Sequence, residues 1–130
     1  MNESPVSQRA QLALSNLGAI VMRNNVGAAQ DVTGRVIRYG LMNESEQVNR
    51  QFKSSDIVAV VPLVVQPHHV GRVIGVFGAF ETKRSDWHMT PSDKRAQAQL
   101  RFMELVRRHG GIADFVTDGA QIAGIVDRYR

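Results

Sequence analysis

The chain contains no cysteine. That excludes disulfides and thiolate metal sites, and leaves oxygen and histidine nitrogen as the only donors for an ion. Nowhere do eighteen apolar residues run together, so no segment has the length of a membrane-spanning helix. The start, Met1-Asn2-Glu3-Ser4-Pro5, lacks the basic stretch followed by an apolar one that marks export. A soluble, cytoplasmic protein with no membrane partner is the expectation. Lysine is also scarce, with three residues against thirteen arginines. Arginine's planar fork suits phosphate oxygens better than a lysine point charge does, although a genomic preference for arginine codons explains the same ratio.

What is present fits a folded protein. The 130 residues suffice for one core, so a single domain spanning 1–130 is expected. With 43% hydrophobic and 22% charged residues the composition is not that of a disordered tail. The net charge of +4 points toward a polyanionic partner, though proteins that bind no nucleic acid carry similar surpluses.

Ser4-Pro5 resembles an N-cap and first helical position, followed by Val6, Ala10, Ala13, Leu14 and Leu17 at helical spacing. After Gly18, the apolar run Ala19 to Met22 reads as a strand. It delivers Arg23, Asn24 and Asn25 into a loop, where they could grip phosphates, brace an active-site loop or form a simple turn. The stretch from Gly34 to Gly40, with Arg35 and Arg38, reads as a strand with one wet face. Met42 to Lys53 is a surface loop or short helix. Asp56 stands at the mouth of Ile57 to Val61, a β-branched run with the character of a central strand, as either a turn-forming cap or a ligand.

Gln66-Pro67-His68-His69 looks like a hairpin tip, returning through a long strand from Val70 to Lys83 and bringing Asp56 toward Glu81. Adjacent histidines in extended chain face opposite ways, which argues against a shared ion. Thr90-Pro91-Ser92-Asp93 looks like a helix start, and the helix runs through Ala96, Leu100, Met103 and Val106 to Gly110-Gly111. A strand from Ile112 to Val116 and a short helix from Gln121 to Val126 complete an α/β order with a central mixed sheet flanked by helices.

Phe80-Glu81-Thr82-Lys83 is the centre of this organisation. Alternation along a strand sends Glu81 and Lys83 to one face and Phe80 and Thr82 to the other, placing a carboxylate beside an ammonium. Alone, this pair is a weak motif.

Taken together in order, Arg23-Asn24-Asn25-x-Gly27, Gly34-Arg35-x-x-Arg38-Tyr39-Gly40, Ser55-Asp56, Glu81-x-Lys83, Gln99 and Gly110-Gly111-Ile112-Ala113 resemble the virus-type replication-repair (VRR-NUC) branch of the PD-(D/E)xK nucleases in its compact stand-alone form. The resemblance spans nearly the whole chain. It implies a restriction-endonuclease-like fold in a bacterial or phage-infected cell. It also implies Asp56, Glu81 and the backbone carbonyl of Thr82 as ligands of Mg²⁺ or Mn²⁺, Lys83 as the residue assisting the attacking water, and Gln99 as support from the following helix. A first-helix glutamate often joins the metal ligands in this family, and Glu3 is the only acidic residue in position to do so. Arg23, Asn24, Asn25, Arg35 and Arg38 become the residues expected to contact DNA.

Two carboxylates and a carbonyl are hard oxygen donors of the kind that suit Mg²⁺. The function expected is metal-dependent endonucleolytic hydrolysis of DNA phosphodiesters, directed at Holliday junctions or other branched structures by a homodimer. The alternative is a non-catalytic DNA-binding or assembly module with a nuclease-like fold.

Overall fold

A computed structural model describes residues 3–130, with side chains from Pro5 onward. The chain is mixed α/β and divides into two compact units, 1–59 and 60–130. Among the described residues the strands pair in three two-stranded sheets, where one central mixed sheet was expected.

In the first unit, α1 (Glu3–Asn16) ends at Gly18, whose φ of 81° lies in the left-handed region that glycine tolerates. The helix packs against β1 (Ile20–Arg23). β2 (Gly27–Gln30) and β3 (Val36–Tyr39) form an antiparallel hairpin in the register Gly27↔Tyr39 to Gln30↔Val36. Gly-Ala-Ala-Gln carries little intrinsic strand preference, so β2 escapes the sequence pattern and forms because β3 offers it a ladder.

The Asp31 carboxylate ties this hairpin's turn, accepting from the Thr33 hydroxyl at 2.6 Å and from the N–H groups of Thr33 and Arg35. These bonds, the Thr33 hydroxyl first, hold Asp31 below the ordinary aspartate range. At the hairpin's far end Gly40 has a φ of 93°, and a Cβ there would come within 2.7 Å of the Asn25 carbonyl oxygen and Val26 Cα. Ser45 caps α2 (Glu46–Gln51) by accepting from Val48 N–H. β4 (Ile57–Val60) takes β1 as its partner.

The second unit differs from expectation at its start. Among the described residues, 61–77 hold no strand, only a 3₁₀ turn at Pro67–His69 in which His69 Nδ1 accepts from the Gln66 N–H. Gly71, with a φ of 82°, interrupts the extended run, and Val70 and Val73 are exposed. The long strand expected from Val70 is therefore only β5 (Gly78–Thr82), and the expected hairpin with β4 is replaced by a parallel pairing with β6 (Ile112–Val116).

The crossover between β5 and β6 is α3 (Lys94–Arg108), giving a β-α-β unit. Its N-cap is Asp93, not Thr90, because the Asp93 carboxylate accepts from Ala96 N–H at 3.0 Å. Ala96, Met103 and Val106 form the buried stripe of α3. Beyond it the chain turns at Gly110 and Gly111, where a Cβ on Gly111 would lie 2.6 Å from Val106 Cγ1. α4 (Gln121–Asp127) packs Ile122 and Ile125 on Ile112 and Val116. By alternation, Ala113 and Phe115 face the other side of β6.

Candidate active site

In the first unit, Asn24 is buried and saturated. Its Nδ2 donates to Ser54 Oγ at 2.7 Å and to the Ser55 carbonyl at 2.9 Å, while its Oδ1 accepts from Leu41 N–H at 3.0 Å. Its own N–H donates to the Asp56 carbonyl at 2.8 Å. Of the uses open to Asn24 from sequence, bracing a loop is the one this geometry supports, and the loop is the one that carries Asp56. The Asp56 side chain is exposed, as are Arg23, Asn25, Arg35 and Arg38.

Asn43, which the sequence did not single out, is a second buried amide. Its Nδ2 donates to the carbonyls of Gly27 and Tyr39 and closes the β2–β3 hairpin. An asparagine within a polar stretch gave no signal that it would be buried.

Glu81, Thr82, Lys83 and Gln99 belong to the second unit, and Asp56 to the first. Along β5 the burial alternates, with Ala79, Glu81 and Lys83 partly covered and Gly78, Phe80 and Thr82 exposed. Glu81 and Gln99 line one open cleft of about 580 Å³ between β5 and α3, together with Ala79, Phe80, Arg95, Ala98, Phe102 and Met103. Gln99 faces back from α3 toward the strand. Its Oε1 is buried with no hydrogen-bond partner among the described residues. An orphaned buried acceptor costs stability and calls for a donor or a cation.

The ladder orients the backbone of β5. Ile112 N–H donates to the Phe77 carbonyl and Lys83 N–H to the Val116 carbonyl, so odd-numbered residues of this strand point their peptide groups at β6. The carbonyl of Thr82 accordingly points to the strand's other edge, away from β6. Glu81, Thr82 and Gln99 thus offer hard oxygen donors on and around one strand end, a set whose chemistry fits Mg²⁺ or Mn²⁺. Within neither unit, among the described residues, do three or more His, Asp or Glu side chains gather as a metal-binding group. The side chain of Glu3 lies outside the described residues.

Lys83 is partly buried, and its Nζ rests over two aromatic rings, 5.4 Å from the centroid of Trp87 and 5.7 Å from that of Phe115. The centroids of the two rings lie 4.7 Å apart. Trp87 Nε1 donates to Asp93 Oδ2 at 3.3 Å. The Asp93 carboxylate is held below the ordinary aspartate range, first by the Ala96 N–H, then by the Trp87 indole, with the charges of Lys83 and Arg95 adding to both. As the sole tryptophan in the loop after Glu81-x-Lys83, Trp87 was visible in the sequence. Phe115 was not, because its place beside Lys83 follows from the register of β5 on β6.

The chain matches no protein-family model, no curated protein and no solved structure.

Proposed function

We propose that this chain is a divalent-metal-dependent DNA endonuclease of the PD-(D/E)xK type, cutting branched or otherwise structured DNA as a homodimer. The observation that carries the reading is the convergence of Glu81 and Gln99 on one cleft beside β5, with the Gln99 oxygen buried and unpartnered. In this reading Glu81 and the Thr82 carbonyl would hold Mg²⁺ or Mn²⁺, and Asp56 is the second carboxylate that the family resemblance implies. The ion supplies a more acidic bound water and charge neutralisation at the scissile phosphate.

The chain's own residues do the rest. Lys83 presents an ammonium for the phosphate and the attacking water. Gln99 lines the cleft beside Glu81 and keeps a buried amide oxygen in need of a partner. Asn24 fixes the backbone that carries Asp56, and the exposed Arg23, Asn25, Arg35 and Arg38 are free to meet DNA phosphates. The net charge of +4 favours such a polyanion.

One observation favours the second reading, a non-catalytic DNA-binding or assembly module. Lys83 already has an occupation, seated on Trp87 and Phe115, that requires no metal. The deciding experiment is cleavage of labelled single-stranded, duplex, flap and four-way-junction DNA, with Mg²⁺, Mn²⁺ or chelator, by wild type, Glu81→Ala and Lys83→Ala. Metal-dependent cutting that both substitutions abolish, with DNA binding retained, supports the nuclease. Salt-sensitive binding without any cut product supports the module.

A further inference from the structure

A lysine ammonium on a four-carbon stem samples many positions, whereas a group that must meet one phosphate needs a fixed one. In this chain the restriction on Lys83 comes from outside the Glu81-x-Lys83 motif. We propose that Trp87 is the positioning residue for Lys83, setting the ammonium over Phe115 so that it stays on the Glu81 face of the sheet. This inference rests on the nuclease reading above.

Each link of the seat is anchored at both ends. The root of the Lys83 side chain is fixed because its backbone N–H donates to the Val116 carbonyl at 2.9 Å. Its tip lies within cation–π range of both rings. Phe115 is the register partner of Glu81. Partners in a parallel ladder project to the same face, so an ammonium over Phe115 stands on the side from which Glu81 projects.

The Trp87 plane is set in turn from α3. Its indole N–H is bound by Asp93, whose other carboxylate oxygen caps the helix at Ala96 and whose own N–H donates to the Thr90 carbonyl at 3.1 Å. The Trp87 backbone is also held, donating to the Arg84 carbonyl at 2.9 Å. A tryptophan kept only to fill space would not need its polar edge tied to a helix cap, nor its face turned to a cation. The arrangement transmits the position of the α3 N-terminus to the Lys83 ammonium.

The test uses the full chain. On the preferred DNA with Mg²⁺, Trp87→Leu should lower kcat about ten-fold with KM within about two-fold, the size expected from losing a desolvated cation–π contact. Trp87→Phe, which keeps a ring face, should recover most of that loss. A folded Trp87→Leu that cleaves at the wild-type kcat overturns the proposal. So does a loss that Trp87→Phe does not relieve at all.

A second measurement does not depend on catalysis or on a substitution at Trp87. Because Trp87 is the only tryptophan, its emission reports its own surroundings, and Lys83→Met should change that emission while the circular dichroism stays constant. Unchanged emission overturns the seat. If wild type cuts no DNA while Lys83→Met still alters the emission, the seat exists, and the nuclease reading falls together with the positioning role built on it.

Discussion

Arg107 of α3 donates through both Nε and Nη2 to the carbonyl oxygen of Ala113, at 3.0 and 2.7 Å. The ladder explains why this acceptor is available. Even-numbered residues of β6 pair with β5, so the peptide groups of Ala113 and Phe115 face the strand's open edge. Arg107 covers the first, and the Asp114 carboxylate accepts from the Phe115 N–H at 2.8 Å. Asp114 is joined by Arg107 at 3.8 Å and Arg128 at 3.4 Å, so charge occupies an edge that could otherwise pair with another chain.

Arg107→Met should therefore lose about 1–3 kcal/mol of stability, from an unsatisfied carbonyl and a lost charge-assisted bond. It should also associate at high concentration through the exposed edge. Chemical denaturation measures the first effect and light scattering the second, with Arg107→Lys intermediate because an ammonium lacks the two-pronged geometry.

Replacing Asn24 separates bracing from DNA contact. Asn24→Leu leaves the Leu41 N–H without its acceptor and the Ser55 carbonyl without a donor, at a cost of about 1–3 kcal/mol. Thermal unfolding should show the loss, whereas an exposed residue such as Asn25, replaced by Ala, should leave the melting temperature nearly unchanged and weaken DNA binding instead.

Gln99 offers the opposite test. Its Oε1 is buried and unpartnered, so Gln99→Leu should leave stability equal or raise it by about 1 kcal/mol. If the cleft performs chemistry, the same change should lower cleavage by about ten-fold or more. Stability and activity measured on one preparation decide the matter, and a variant that loses stability while cleaving normally would make Gln99 a packing residue.

Acid should release the α3 N-terminus. The Asp93 carboxylate is depressed in the folded chain, chiefly by the Ala96 N–H. Its contribution is therefore fully present above the unfolded aspartate value of about 4 and is lost as pH falls through the lower folded value. Trp87 emission should titrate below pH 4 along with this group. Asp93→Ala should remove that transition and destabilise the helix start at neutral pH.

Much of the organisation was legible in the sequence because local chemistry decides it. The end of α3 and the start of β6 follow from Gly110-Gly111, the final strand from its apolar run, and the shared face of Glu81 and Lys83 from the two-residue period of a strand. The expected helix start at Thr90 failed narrowly. Several capping residues competed there, and only the carboxylate geometry of Asp93 selected the winner.

The partners of each element were a different matter. An apolar run declares that it will be a strand, but not which strand it will lie beside. For that reason the sequence of Val70 to Phe77 predicts the first half of a long strand, although Gly71 turns it away. Pairing is settled by distant backbone groups meeting in register, and this alone placed Phe115 beside Lys83 and left the Ala113 carbonyl for Arg107. Sequence determined the residues with chemistry to offer. The tertiary structure decided which were already occupied, Asn24 by a loop and Lys83 by two rings, because hydrogen bonds and ring contacts form between segments that no local pattern connects.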